Sequence, residues 1–90
     1  MLTFDIIDWD DETDPDGNSQ HVARHGLTTD EVDDVLFSPA VGHGFSRTSN
    51  RPCGWGRTMT GKHILVIYET TEDPSGLTVI RPVTAYEVPV

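Results

Sequence analysis

Three side chains suited to acid–base and phosphate chemistry lie within five residues of one another in an otherwise acidic sequence. His21, Arg24 and His25 are spaced by three and four residues, which places side chains on one face of a helix. An imidazole exchanges a proton near neutral pH, and a guanidinium binds phosphate oxygens through its planar fork. The segment therefore predicts a polar site that begins on a short helix.

Further cations and two tyrosines occur in the second half of the chain. Arg57 and Arg81, together with the histidine helix, would supply what RNA cleavage requires: a base for the 2′-hydroxyl, an acid for the leaving oxygen and cations for the charged transition state. Tyr68 and Tyr86 carry rings that stack on bases. The alternative is that the arginines pair with nearby acids and shield strand edges. Spacing between separate strands does not choose between the two.

The two histidines, four residues apart, also have the spacing of metal ligands on a helix, with His43 or His63 as a third ligand. A zinc-protease helix, however, carries a glutamate directly after its first histidine. Val22 stands at that position, and no cysteine pair supplements the histidines. We therefore expect the site to need neither a metal ion nor another cofactor.

An acidic loop precedes the histidine helix and resembles the first half of a calcium-binding loop. Acidic residues alternate with Thr13, Pro15 and Gly17 over residues 12–17. The position that would have to supply a bidentate glutamate is, however, Ala23. We expect this loop to be a solvated turn that can dock a basic partner.

Charge is unevenly distributed along the 90 residues. The net charge is −9, and residues 1–37 hold eleven acidic residues against one basic residue, which gives −10. Residues 38–90 hold four acidic and five basic residues, which gives +1. The acidic first part repels a phosphate backbone and attracts a basic protein, so non-specific binding of nucleic acid is disfavoured.

Three features of the composition indicate a cytoplasmic protein with no membrane contact. Its start turns acidic at once and lacks a signal-peptide pattern. The longest apolar run, residues 64–68, is too short to span a bilayer. The single cysteine, Cys53, excludes an internal disulfide and fits a reducing compartment. We expect one domain over residues 1–90.

Local signals predict two helices in the first half of the chain. Asn18 is the expected N-cap of a helix that runs to His25, with Gly26 in the left-handed turn that follows. Thr28 and Glu31 have the form of a capping box, which predicts the start of a second helix.

The rest of the chain predicts strands. The run at residues 64–68 is apolar on both faces, as in a central strand, and Pro82 implies an edge position or a bulge. We expect an α+β domain with two N-terminal helices packed on a twisted antiparallel sheet of four or five strands. The strands are predicted over residues 2–9, 41–47, 54–59, 64–68 and 77–88.

Several of these pieces together resemble the BrnT-type toxins. In the first half the resemblance rests on Trp9-Asp10, Asn18, Arg24-His25-Gly26-Leu27-Thr28, Glu31-Val32 and Val35-Leu36. In the second half it rests on Gly56-Arg57-Thr58, Gly61-Lys62 and Leu65-Val66-Ile67-Tyr68. The resemblance spans residues 4–81 and implies a RelE-like α+β fold, endoribonuclease activity and pairing with an antitoxin. The end of the chain, residues 82–88, looks closer to small uncharacterised relatives of that family.

Candidate site residues carry over from this resemblance and from the chemistry above. Arg24 and His25 match the family's basic–His–Gly element, and Arg57 and Lys62 match cations of its hairpin. We predict a catalytic set of His25, Arg24, Arg57 and Arg81. We predict substrate contacts from His21, Lys62, Tyr68 and Tyr86.

Three hypotheses of function follow, of which the weakest is a metal-dependent hydrolase that uses His21 and His25. The first is a metal-independent endoribonuclease toxin that binds RNA and a basic antitoxin. The second is a non-catalytic module of the same fold whose acidic helix faces bind a basic protein. It is motivated by the charge of residues 1–37 and by Val83, which stands where the family's last strand carries an arginine. An open sheet edge would also allow a homodimer.

Overall fold

Two helices and five strands make up residues 1–89, which are the residues that the computed structural model describes. This arrangement confirms the α+β class. In chain order the elements are β1 (Ile6–Ile7), α1 (Asn18–Arg24), α2 (Thr29–Phe37), β2 (Gly42–Ser46), β3 (Arg51–Arg57), β4 (His63–Glu72) and β5 (Thr78–Glu87).

The sheet is mixed, in the order β1-β5-β4-β3-β2. The four long strands are antiparallel neighbours, but β1 pairs with β5 in parallel, Ile6 opposite Val79 and Ile7 opposite Ile80. The prediction of an antiparallel sheet is therefore wrong for β1, because the crossover through the helices returns the chain parallel to that strand. The two helices are not N-terminal, since the first strand precedes them. The strand predicted over residues 2–9 forms ladder pairs only at two residues.

Helix α1 starts one position earlier than predicted, because Gly17 and not Asn18 is its N-cap. The side chain of Asn18 instead turns toward the sheet and donates to the carbonyl oxygen of Pro82 at 2.8 Å. At the other end His25 is the C-cap, and Gly26 has a φ of 77°. This left-handed backbone conformation is costly for a residue that has a side chain. This end of the helix agrees with the sequence prediction.

Helix α2 begins as its local sequence dictates. The hydroxyl of Thr28 accepts the N–H of Glu31 at 3.1 Å, and the Glu31 carboxylate accepts the N–H of Thr28 at 3.1 Å. The predicted capping box is confirmed. Val32, Val35 and Leu36 are fully or almost fully buried on the inner face of this helix.

Both helices cover one face of the sheet, and α2 lies close to β3 because that strand has glycines there. A Cβ atom at Gly54 would be 3.5 Å from Leu36, and one at Gly56 would be 3.4 Å from Val35. The core between the two layers includes Val22, Val32, Ile64, Val66, Tyr68, Ile80 and Ala85. Strand β4 is central, as predicted, because it is third in the five-strand order, and its inner-face side chains belong to this core.

Neither of the two helices in residues 1–89 covers the opposite face of the sheet. Trp55 lies across it over Gly42 and Gly44, so that a Cβ atom at Gly42 would be 2.1 Å from the indole nitrogen. Trp55 remains 43% exposed. Strand β5 has an irregularity opposite Ile67 and Tyr68, which agrees with the bulge predicted from Pro82.

Candidate functional site

Three of the predicted site residues come together at the surface beside α1. The ring centroids of His21 and His25 are 5.5 Å apart, and those of His25 and Tyr86 are 6.4 Å apart. The histidines are held by the helical spacing, and Tyr86 is brought to them by the end of β5. All three side chains are exposed. We call His21, His25 and Tyr86 the ring cluster.

Arg24 lies on the same helix, but its guanidinium binds the loop that precedes the helix. Its Nη2 donates to the carbonyl oxygen of Pro15 at 2.6 Å. The residue is exposed, and it forms no ion pair within residues 1–89. Arg24 thus contributes a cation to the neighbourhood of His25 while its side chain is partly engaged.

Arg81 is neutralised by two carboxylates. Its Nη2 is 2.7 Å from Asp10 and its Nη1 is 3.3 Å from Asp8. The hydrogen bond with Arg81 lowers the pKa of Asp10, and the same bond raises the pKa of Arg81. Arg81 and His21 line the same cleft of about 270 Å³, so the fold brings Arg81 near the ring cluster. Its charge, however, is already balanced.

Lys62 is held in the same way at the turn between β3 and β4. Its Nζ is 3.1 Å from the Glu31 carboxylate and 3.0 Å from the carbonyl oxygen of Gly26. The hydroxyl of Thr60 donates to the same carboxylate at 2.5 Å. This hydrogen bond, followed by that from Lys62, lowers the pKa of Glu31 although burial opposes the shift. Lys62 therefore fastens the turn to the start of α2.

The two remaining predicted residues, Arg57 and Tyr68, lie on β3 and β4. Arg57 is exposed at the end of β3, opposite His63, and forms no ion pair within the described part of the chain. Tyr68 is only 4% exposed, and burial raises the pKa of its hydroxyl. A ring buried in the core has no surface on which a base can stack.

Sequence reasoning missed the residues that neutralise Arg81. Asp10 binds Asn18 through two reciprocal hydrogen bonds of 2.8 Å, and Asn18 also donates to the carbonyl oxygen of Asp8 at 3.0 Å. The sequence marked Asn18 as an N-cap and Asp10 as part of the family resemblance, but it did not connect these residues with each other or with Arg81. Their separation by eight residues gave no local signal that they act together, because the loop between them sets the contact.

Ion pairing leaves the surface strongly negative. Of the fifteen acidic residues, Asp8, Asp10, Glu31 and Glu69 form ion pairs within residues 1–89, and eleven do not. Of the six cations, Arg51, Lys62 and Arg81 are paired in the same range. The unpaired carboxylates include those of Asp11, Glu12, Asp14 and Asp16, which are all exposed in the loop before α1.

Within residues 1–89 the arrangement brings two exposed imidazoles together, but Arg81 and Lys62 are already paired with carboxylates. Across residues 1–89 no three His, Cys, Asp or Glu side chains gather into a metal-binding group. Cys53 is buried in β3. In the same residues neither helix has the length and apolar character needed to cross a bilayer. No protein-family model matches this chain, and a search of curated proteins finds no significant match.

Proposed function

We propose that this chain is a BrnT-like protein that acts by binding a basic partner protein. The proposal rests on the ion pairs that the cations form within the fold. Arg81 and Lys62, two of those expected to hold phosphate, are paired with carboxylates. An anionic ligand would have to displace those carboxylates in a protein of net charge −9.

The acidic loop is the most favourable contact for such a partner. Exposed Glu12, Asp14 and Asp16 have no ion-pair partner within residues 1–89. Carboxylates grouped in this way accelerate association with a basic segment and fix its orientation.

The face of α2, which the sequence also suggested, is partly used inside the fold. Asp33 accepts the indole N–H of Trp9 at 2.9 Å, and Asp34 accepts the N–H of Met59 at 3.1 Å. These carboxylates are less free to meet a partner than those of the loop. The acidic surface of the module is therefore centred on the loop before α1.

The test is co-purification of the untagged full chain with the product of the neighbouring open reading frame and with host proteins. The triple variant Glu12→Gln, Asp14→Asn and Asp16→Asn changes the net charge from −9 to −6. We expect this variant to weaken binding of the recovered partner at least tenfold and to reduce the dependence of binding on salt.

A matched control carries the same change in charge at other sites. Asp5→Asn, Glu72→Gln and Glu87→Gln also raise the net charge by three, at exposed positions outside the loop. If binding falls equally in both triple variants, the loss reflects net charge and not a contact with the acidic loop. Failure to recover any stoichiometric partner at low and moderate salt would refute the proposal.

The ring cluster favours a second candidate, the endoribonuclease toxin. Two exposed imidazoles whose centroids lie 5.5 Å apart can divide the roles of base and acid. One would take the proton of a 2′-hydroxyl as its oxygen attacks phosphorus. The other would protonate the departing 5′-oxygen, which leaves a 2′,3′-cyclic phosphate.

Growth and RNA assays test this second candidate directly. His25→Ala should abolish growth inhibition when the chain is overexpressed in bacteria, and His43→Ala, on the far edge strand, should not. A purified wild-type protein that neither degrades RNA nor slows growth would exclude the nuclease and leave the binding module intact.

A further inference from the structure

The geometry points to a two-histidine site for a borderline divalent metal ion, such as Zn²⁺, Ni²⁺ or Cu²⁺, on the exposed side of α1. His21 and His25 would be its protein ligands. The proposal is independent of partner binding through the acidic loop and of RNA cleavage, since it rests on the imidazoles alone. It departs from the expectation, drawn from the incomplete zinc-protease motif, that this helix binds no metal.

The distance between the imidazoles is close to that of a chelate. Metal–nitrogen bonds of about 2.0–2.1 Å, at tetrahedral or square-planar angles, put two ring centroids about 4.5–5.2 Å apart. The centroids of His21 and His25 are 5.5 Å apart, and the rings are inclined by 33°. Small rotations about the side-chain torsions close the difference. The helix supplies the spacing, so little order has to be created when the ion binds.

The surroundings favour a cation. The histidines lie in the last turn of α1, where the carbonyl end of the helix is negative, and the protein as a whole carries −9. The cations of this region are held by protein oxygens: Arg24 donates to Pro15, Lys62 binds Glu31 and Gly26, and Arg81 binds Asp8 and Asp10. Neither guanidinium nor ammonium is therefore free to occupy the space between the rings.

The site is open and its metal exchangeable. Because no three donor side chains gather within residues 1–89, water must fill the other coordination positions. Imidazole ligands suit zinc, copper and nickel and disfavour magnesium and calcium. Affinity should follow the order in which Cu²⁺ binds more tightly than Ni²⁺ or Zn²⁺.

Calorimetric titration of the untagged full chain with Ni²⁺ and with Zn²⁺ at pH 7.5 tests the site, because an imidazole binds a metal ion through an unprotonated ring nitrogen. We expect one ion per chain with a dissociation constant below millimolar, and at least a tenfold loss of affinity in His21→Ala and in His25→Ala. His43→Ala is the matched control, since His43 is also exposed but stands alone on β2, and its affinity should change less than twofold.

Two further readouts separate chelation from a general effect of the substitutions. Ni²⁺, which is paramagnetic, should broaden the imidazole proton resonances of His21 and His25 before those of His43 and His63. Saturating Zn²⁺ should raise the Tm of the wild type by about 3–8 °C, and EDTA should reverse the rise. The proposal is overturned if the wild type binds neither ion below millimolar concentration. It is also overturned if loss of His43 weakens binding as much as loss of His21.

Discussion

Asp10 and Arg81 form a bidentate ion pair that joins the start of the chain to its last strand. The distances are 3.0 Å from Nη1 to Oδ1 and 2.7 Å from Nη2 to Oδ2. Asp10 in turn accepts the backbone N–H of Asn18 at the first residue of α1. Arg81, which was predicted to bind phosphate, therefore helps instead to hold α1 against β5.

Asn18→Ala should lower the free energy of unfolding by about 2–4 kcal/mol, because it removes three hydrogen bonds and leaves a buried carbonyl oxygen at Pro82 without its donor. Urea denaturation measures the change. Gln20→Ala is the control, since this amide lies on the same helix and, among residues 1–89, donates to the backbone of the exposed loop at Glu12. The control should lower the free energy of unfolding by less than about 0.5 kcal/mol. Equal losses in the two variants would contradict the role assigned to Asn18.

Protonation of Glu31 should lower the stability of the protein in acid. Its pKa is lowered in the folded protein from an ordinary value of 4.5, so the unfolded chain takes up this proton at higher pH. The stabilisation is complete above pH 4.5 and is lost as pH falls through the lower folded value. In Glu31→Gln the slope of unfolding free energy against pH between 5 and 3 should be shallower, by at most about 1.4 kcal/mol per pH unit. The same slope in Glu31→Gln as in wild type would refute the role of Glu31. Glu72→Gln serves as the control.

Asp33→Asn should stabilise the protein at pH 7. Burial raises the pKa of Asp33, and the charges of Asp30 and Asp34 add to the shift while the bond from Trp9 opposes it. A raised folded pKa means that stability is lost as pH rises through it. An asparagine keeps an acceptor for Trp9 and removes the charge, so we expect a gain of about 0.3–1 kcal/mol at pH 7. The gain should shrink below pH 4, and a gain that is constant with pH would argue against an electrostatic cause.

Gly42→Ala should displace the indole of Trp55, while Gly44→Ala should not. The new Cβ atom would lie 2.1 Å from the indole nitrogen at position 42 but no closer than 3.5 Å at position 44. Because the ring is partly exposed it can move, so we expect a loss of about 1–2 kcal/mol and a red-shifted emission. Fluorescence in a Trp9→Phe background isolates Trp55. Identical spectra for the two alanine variants would show that the ring does not lie over Gly42.

The sequence predicted well wherever the determining residues are neighbours. The capping box of Thr28 and Glu31 closes within four residues, and the left-handed turn at Gly26 depends on one residue type. Histidines four residues apart must meet once their segment is helical. The apolar run of β4 required a central strand. These features, and with them the α+β class, could be read from the sequence alone.

The tertiary structure decided the features that join distant residues. The parallel pairing of β1 with β5 and the ion pair of Asp10 with Arg81 each link residues more than 70 positions apart. No local periodicity or propensity encodes such a partner. Asn18 was expected to cap its own helix, but the carbonyl oxygen of Pro82 offers a buried acceptor that only the folded sheet provides. The residue types therefore determined which groups were available for chemistry. Packing determined which cations are already neutralised, because ion pairs depend on distance in the folded protein and not on separation along the chain.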